Sequence, residues 1–126
     1  MIYIPNYFTT SEMECKCGCG KGRNWEEYDP TLLHVLDRVR GIIGRPLLVT
    51  SGMRCEAHDK AVGGTGKEHV TGQAADVACD ASLARAEILR ACYLMVVHRL
   101  GIAGNFIHIG VSVELPHPRV WLYPTR

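Results

Sequence analysis

Residues 67–78 read KEHVTGQAADVA. The second half opens AADVAC (74–79), a short run that is apolar apart from Asp76 and has the composition of a buried strand. The first half is polar and turn-forming, with His69 seven positions before Asp76 and Gly72 between them. A strand carrying one carboxylate therefore begins where a loop carrying one histidine ends. Two readings follow: a polar loop that happens to end beside a buried segment, or a turn that brings two ligands to one ion.

Upstream, residues 51–73 hold five glycines and no sustained apolar period, and a loop of that length tends to carry function. RPLLVTSG (45–52) reads as a short buried strand after Pro46. Before it, Asp29-Pro30 is a helix start, with Asp as N-cap and Pro at the first helical position. Leu32, Leu33, Leu36, Val39, Ile42 and Ile43 then recur at helical spacing, with Asp37, Arg38 and Arg40 on the wet side and Gly41 and Gly44 weakening or ending the helix. Ser11 and Glu14 have capping-box spacing and predict a helical turn there. Downstream, Asp80 is expected to cap a helix over 81–101 closed by Gly101. NFIHIGVSV (105–113) alternates as a strand does, and Pro116 and Pro118 break the chain before a last short segment, VWLY (120–123). The order predicts an α+β fold: one small domain over 1–126, a mostly antiparallel sheet packed by two main helices.

The bulk numbers agree. The 126 residues are 47% hydrophobic and 21% charged, as in an ordinary globular domain large enough to bury a core. A net charge of +1 gives no basic field for nucleic acid. The longest apolar run, ACYLMVV (91–97), is too short to span a bilayer. The first residues have neither a basic n-region nor a continuous apolar stretch, so no signal peptide is expected and synthesis is expected in the cytoplasm. Without export, structural disulfides are not the default for the six cysteines. Cys15, Cys17 and Cys19 alternate in CKCGCG and would point to one side of an extended segment, where they could meet Cys55. A four-sulfur zinc site, a disulfide to Cys55 and free thiols all stay open there, because the spacing departs from the usual zinc-ligand pairs. Cys79 and Cys92 read as buried small hydrophobes.

A hydrolytic zinc centre needs about three protein ligands and one open position. His69, Asp76 and His108, the last in the β-patterned run FIHIGV (106–111), would supply them. Taken singly, His108 reads as a satisfied core histidine, and spacing alone does not decide. TSGMRCEAHDKAVGGTGKEHVTGQAADV (50–77), followed by FIHIGV and WLY (121–123), resembles the M15 family of zinc D-Ala-D-Ala carboxypeptidases and murein endopeptidases. The family pattern is roughly S-G-Y-R-x₃-H-N-x₂-V-G-G, then S-x-H-x₂-G-x-A-x-D, then H-x-D on a strand, and the resemblance reaches back to the N-terminal segments. It implies that His69, Asp76 and His108 hold zinc, on the sheet and the adjacent loop. It also gives Arg54 a substrate role, pinning a peptide carboxylate or an oxyanion.

Several positions depart from the pattern. Met53 stands for the tyrosine, Asp59 for the asparagine and Lys67 for the serine. Gly110 stands where H-x-D has its acid, and Asn105 where some murein-cleaving relatives carry one, so the general base is missing from both places. Glu68 and Glu114 are the substitutes, and Glu68, beside a ligand, is the better one. His34, His98 and His117 read as surface or turn residues, and His58 as a loop residue near either the substrate or the cysteines. The expected function is zinc-dependent hydrolysis of peptidoglycan stem peptides, of D-Ala-D-Ala carboxypeptidase or L-Ala–D-Glu endopeptidase type. The setting expected is a monomeric phage or prophage protein reaching the wall through lysis or as part of a particle. The alternative is a zinc-stabilised wall-binding or virion module without catalysis.

Overall fold

The computed structural model describes residues 2–65 and 67–124; Met1, Thr125 and Arg126, at the ends of the expected 1–126 domain, and Gly66 in the long loop lie outside the described residues. Asp29 starts the first long helix as expected. Its carboxylate accepts from the Thr31 N–H at 2.9 Å, Pro30 takes the first helical position, and α2 runs Pro30–Ile43 until Gly44 turns left-handed at φ 69°. The short α1, Thr10–Met13, precedes it. Its cap is two residues earlier than the sequence suggested: Glu12 reaches back to the Thr9 N–H at 3.0 Å, while Glu14 pairs with Arg23. Asp37 corrects a second expectation. It is buried on α2 and accepts from the Tyr3 hydroxyl and the Asn6 and Tyr7 N–H groups at 2.8–3.2 Å, so it pins the N-terminal segment to the helix.

Three strands agree with the sequence: β1 Val49–Ser51, β2 Ala74–Ala78 and β4 Phe106–Gly110. Between the first two lies α3, Glu56–Ala61, whose six residues are too few for a helical period to show inside the long loop. The helix α4 is shorter than predicted, Ser82–Leu94, with Ala81 rather than Asp80 at its N-cap. After it the chain turns at Val96, which takes φ 57°, and enters β3, Arg99–Ile102. The apolar run continues through Val97 and Leu100, so hydrophobicity alone did not mark the helix end. Gly101, read as a helix stop, is a strand residue: a Cβ there would lie 2.5 Å from Trp121 Nε1. A fifth strand, β5 Arg119–Leu122, closes the sheet.

The sheet order is β1-β2-β4-β3-β5, antiparallel except that β5 runs parallel to β3. Alternation assigns the two faces. Ala75, Val77, Ile107, Ile109 and Leu100 join Leu32, Leu33, Leu36 and Val39 of α2 and Ile88, Ala91 and Cys92 of α4 in one core. On the other face, one row crosses the whole sheet in register: Ser51, Asp76, His108, Gly101, Trp121. The next row carries Ala74, Gly110, Arg99 and Arg119. The strand residues of the site lie in these two rows.

Candidate metal centre and its cleft

Asp76 and His108 are paired residues on β2 and β4, and His69 comes to them from the turn before β2. Asp76 Oδ1 lies 3.2 Å from His69 Nε2 and 3.1 Å from His108 Nδ1, and all three side chains are buried. One ligand atom from each lies within 4.8 Å of the others. Each ring has a second partner on its outer side. His69 Nδ1 sits 2.8 Å from the Gly52 carbonyl and donates to it, so a neutral ring would turn its Nε2 lone pair to the centre. His108 Nε2 sits 3.0 Å from Glu68 Oε1, so a neutral ring that donates there would turn its Nδ1 lone pair to the centre. Two imidazole lone pairs and one carboxylate oxygen suit Zn²⁺, and the outward bonds to a carbonyl and a carboxylate are what a metal-binding histidine usually makes.

Burial would raise the Asp76 carboxyl, but His108 and His69 beside it outweigh burial and hold the group well below the usual carboxylate range. Burial would lower His108, yet Asp76 and Glu68 on its two sides raise it.

Arg54 braces the other Asp76 oxygen. Its guanidinium donates to Asp76 Oδ2 at 3.2 Å, to Asp59 Oδ1 at 2.9 Å and, through Nε, to Ser51 at 2.9 Å. Asp59 is buried under Gly64, where any Cβ would run into its carboxylate. Arg54 thus fixes which oxygen of Asp76 faces the centre, and it also lines the cleft.

Glu68 lies on the far side of the His108 ring from Asp76. Besides His108, its carboxylate accepts from the Ser112 N–H at 3.2 Å and touches Arg99 Nε at 2.9 Å, an ion pair whose N–H does not aim along the contact. Burial would raise Glu68, and the bond from His108 with the Arg99 and Ser112 contacts brings it below its ordinary value. The space it occupies is the space over Gly110, since a Cβ at that position would collide with the Glu68 carboxylate. Sequence reasoning missed Arg99, because its strand was read as helix, and left Trp121 and Tyr123 without a role. The signal was available in Gly101 and Gly110, two glycines inside strands, each marking a close approach by another side chain.

The centre opens into a cleft of about 1080 Å³ walled by Arg54, Lys67, Phe106, Trp121 and Tyr123. Trp121 packs on His108 with ring centroids 5.2 Å apart and lies under the Arg99 guanidinium. Asn105 is exposed at the rim, and Glu114 lies past the end of β4 on an exposed turn, outside the cleft lining. His34, His98 and His117 are exposed.

The structure also brings Cys15, Cys17, Cys19 and Cys55 together, with sulfur atoms within 4.8 Å of one another. Cys79 and Cys92 are buried, and burial pushes the Cys92 thiol up to about 12.

A small α+β domain thus carries a His/Asp/His group that could hold a metal ion, each ring held from behind and the group facing a cleft. The family model described as Peptidase M15 matches residues 6–110, and the chain belongs to that family of peptidases. A search of curated proteins gives no match.

Proposed function

We propose that the chain is a zinc-dependent peptidase that cuts peptide bonds in peptidoglycan stem peptides. The observation that carries this reading is the convergence of His69, Asp76 and His108, with one ligand atom of each within 4.8 Å of the others, in the cleft of an M15 family chain. Bound there, zinc would supply an acidified water and a Lewis acid for the scissile carbonyl. Gly52 and Glu68 hold the two rings, and Arg54 holds Asp76. The cleft wall formed by Trp121 and Tyr123 suits the flat backbone of a bound peptide, and Arg54 and Lys67 supply positive charge for its carboxylates. Glu68, expected from its sequence position to serve as base, is assigned instead to positioning His108, because its carboxylate already receives that ring and the Ser112 N–H. The setting that suits the reading is a phage or prophage protein acting at the wall.

One observation favours a second reading. Among the described residues, the carboxylates lining the cleft are Asp59, Glu68 and Asp76, and each is already bound to an arginine or a histidine. A zinc-stabilised wall-binding or virion module without catalysis would need no free base. Incubation with purified sacculi separates the two. The peptidase is expected to release peptides, to stop when a chelator removes the metal and to resume on adding Zn²⁺. Free D-Ala identifies a carboxypeptidase, and a cut between L-Ala and D-Glu an endopeptidase. Sedimentation with sacculi and no product from any wall type would establish the binding module.

Arg54→Lys tests the arginine. Lysine keeps the charge but cannot hold Ser51, Asp59 and Asp76 at once. Zinc affinity is expected to fall about 10-fold or more as Asp76 loosens, with KM for carboxylate-terminated peptides rising less than in Arg54→Ala. Unchanged zinc affinity with a large KM increase would make Arg54 purely a substrate contact.

A further inference from the structure

The cysteine cluster lies apart from the cleft, and its geometry is that of a ligand set. Cys15 Sγ is 3.4 Å from Cys17 Sγ, and Cys17 Sγ is 3.7 Å from Cys55 Sγ. Zinc at about 2.3 Å from four sulfurs in a tetrahedron separates them by about 3.8 Å, whereas a disulfide joins one pair at about 2.05 Å and has no use for four. Three backbone N–H groups point at sulfur: Cys55 to Cys15 at 3.4 Å, Lys21 to Cys19 at 3.5 Å and His58 to Cys55 at 3.3 Å. Such donors stabilise thiolates, the form that binds metal.

The sequence spacing that looked wrong for a zinc pair is resolved by the backbone. Gly18 and Gly20 take φ 82° and 93°, a conformation open to glycine, so CKCGCG curls instead of extending. The curl is tied by the Cys15 N–H to the Lys21 carbonyl and the Gly18 N–H to the Cys15 carbonyl. One-sided alternation along a strand is therefore not what gathers the sulfurs; a glycine turn is. Cys15 is buried and Cys17 and Cys19 are exposed, so an ion can enter from solvent.

We propose that Cys15, Cys17, Cys19 and Cys55 form a second, tetrathiolate zinc site, separate from the His/Asp/His centre. Its position suggests its purpose. Cys55 directly follows Arg54, and the preceding Gly52 carbonyl orients His69. The same segment is held to α1 by the Met53 N–H on the Met13 carbonyl, with Gly52 pressed against Met13 too closely for any side chain. The metal staples the N-terminal loop to the one stretch of chain that braces two of the three ligands in the cleft. It does so whether or not the cleft is catalytic.

The test is elemental analysis and cobalt substitution of the full chain purified under reducing conditions. Two zinc ions per chain are expected in the wild type, one in His108→Ala and one in the double variant Cys17→Ser/Cys19→Ser. With cobalt, the thiolate-to-metal charge-transfer band should appear in wild type and in His108→Ala and vanish in the double cysteine variant. His108→Ala keeps the test independent of the cysteine variant's folding, because the sulfur site is intact there. The double variant is also expected to unfold at a lower temperature. A single zinc in wild type that His108→Ala removes would overturn the proposal. So would a mass two hydrogens short, marking a disulfide, or the visible colour of an iron–thiolate centre.

Discussion

Asp76→Ala is expected to empty the His/Asp/His centre and to lower peptide release by about 10³-fold or more. A zinc Lewis acid contributes several kcal/mol to the transition state, and each ~1.4 kcal/mol is tenfold in rate. Asp76 is expected to be the most damaging of the three proposed ligands to lose, for an electrostatic reason. Its Oδ1 lies between the two imidazoles and its Oδ2 receives Arg54. Alanine would leave the half-buried Arg54 guanidinium near the two rings without the anion that would let a dication sit beside it. Asp76→Asn keeps the shape and removes only the charge, so it should lose nearly as much zinc while disturbing the fold less. Elemental analysis, circular dichroism and peptide release on both variants check this. Full zinc occupancy in Asp76→Asn with a native spectrum would show that the carboxylate is not a ligand.

The sequence made the outline of this site legible and hid its support. His69, Asp76 and His108 were readable because their spacing sits inside a resemblance covering most of the chain, and the structure brings their ligand atoms together. The Asp29-Pro30 helix start was readable because a cap is a local interaction between neighbours. What stayed hidden was decided by residues distant in sequence. Leu100 is apolar whether it continues α4 or lies in β3, and only pairing with β4 makes it a strand residue. Asp37 looked like a solvated charge on a helix, but its partners are Tyr3, Asn6 and Tyr7, some thirty positions away. Arg99 and Trp121 reach the site through β3 and β5, neither of which shows a ligand pattern of its own.

Gly110 is the position where the family pattern and this chain part, and it makes the sharpest prediction. A missing acid in H-x-D reads in the sequence as a lost function. In the structure the Glu68 carboxylate fills the space that a side chain at 110 would enter, and it receives the His108 ring there. A carboxylate thus lies beside Gly110, supplied by the turn before β2 and not by β4 itself. Glu68→Ala should therefore weaken zinc binding and activity about 10–100-fold, the usual cost of losing a carboxylate behind a metal-bound histidine. Gly110→Ala should cost nearly as much, since its methyl group evicts Glu68, and combining the two should add little. Glu68→Ala/Gly110→Asp should recover most of the loss, because aspartate at 110 then projects into the vacated space; such non-additivity is the mark of residues sharing one site. Glu68→Gln separates this role from proton transfer. A glutamine carbonyl still accepts from His108 Nε2–H, so a positioning residue should retain zinc and much of its turnover. A general base replaced in that way would lose about 10²–10⁴-fold in kcat at full zinc occupancy, and that result would return Glu68 to the reacting atoms.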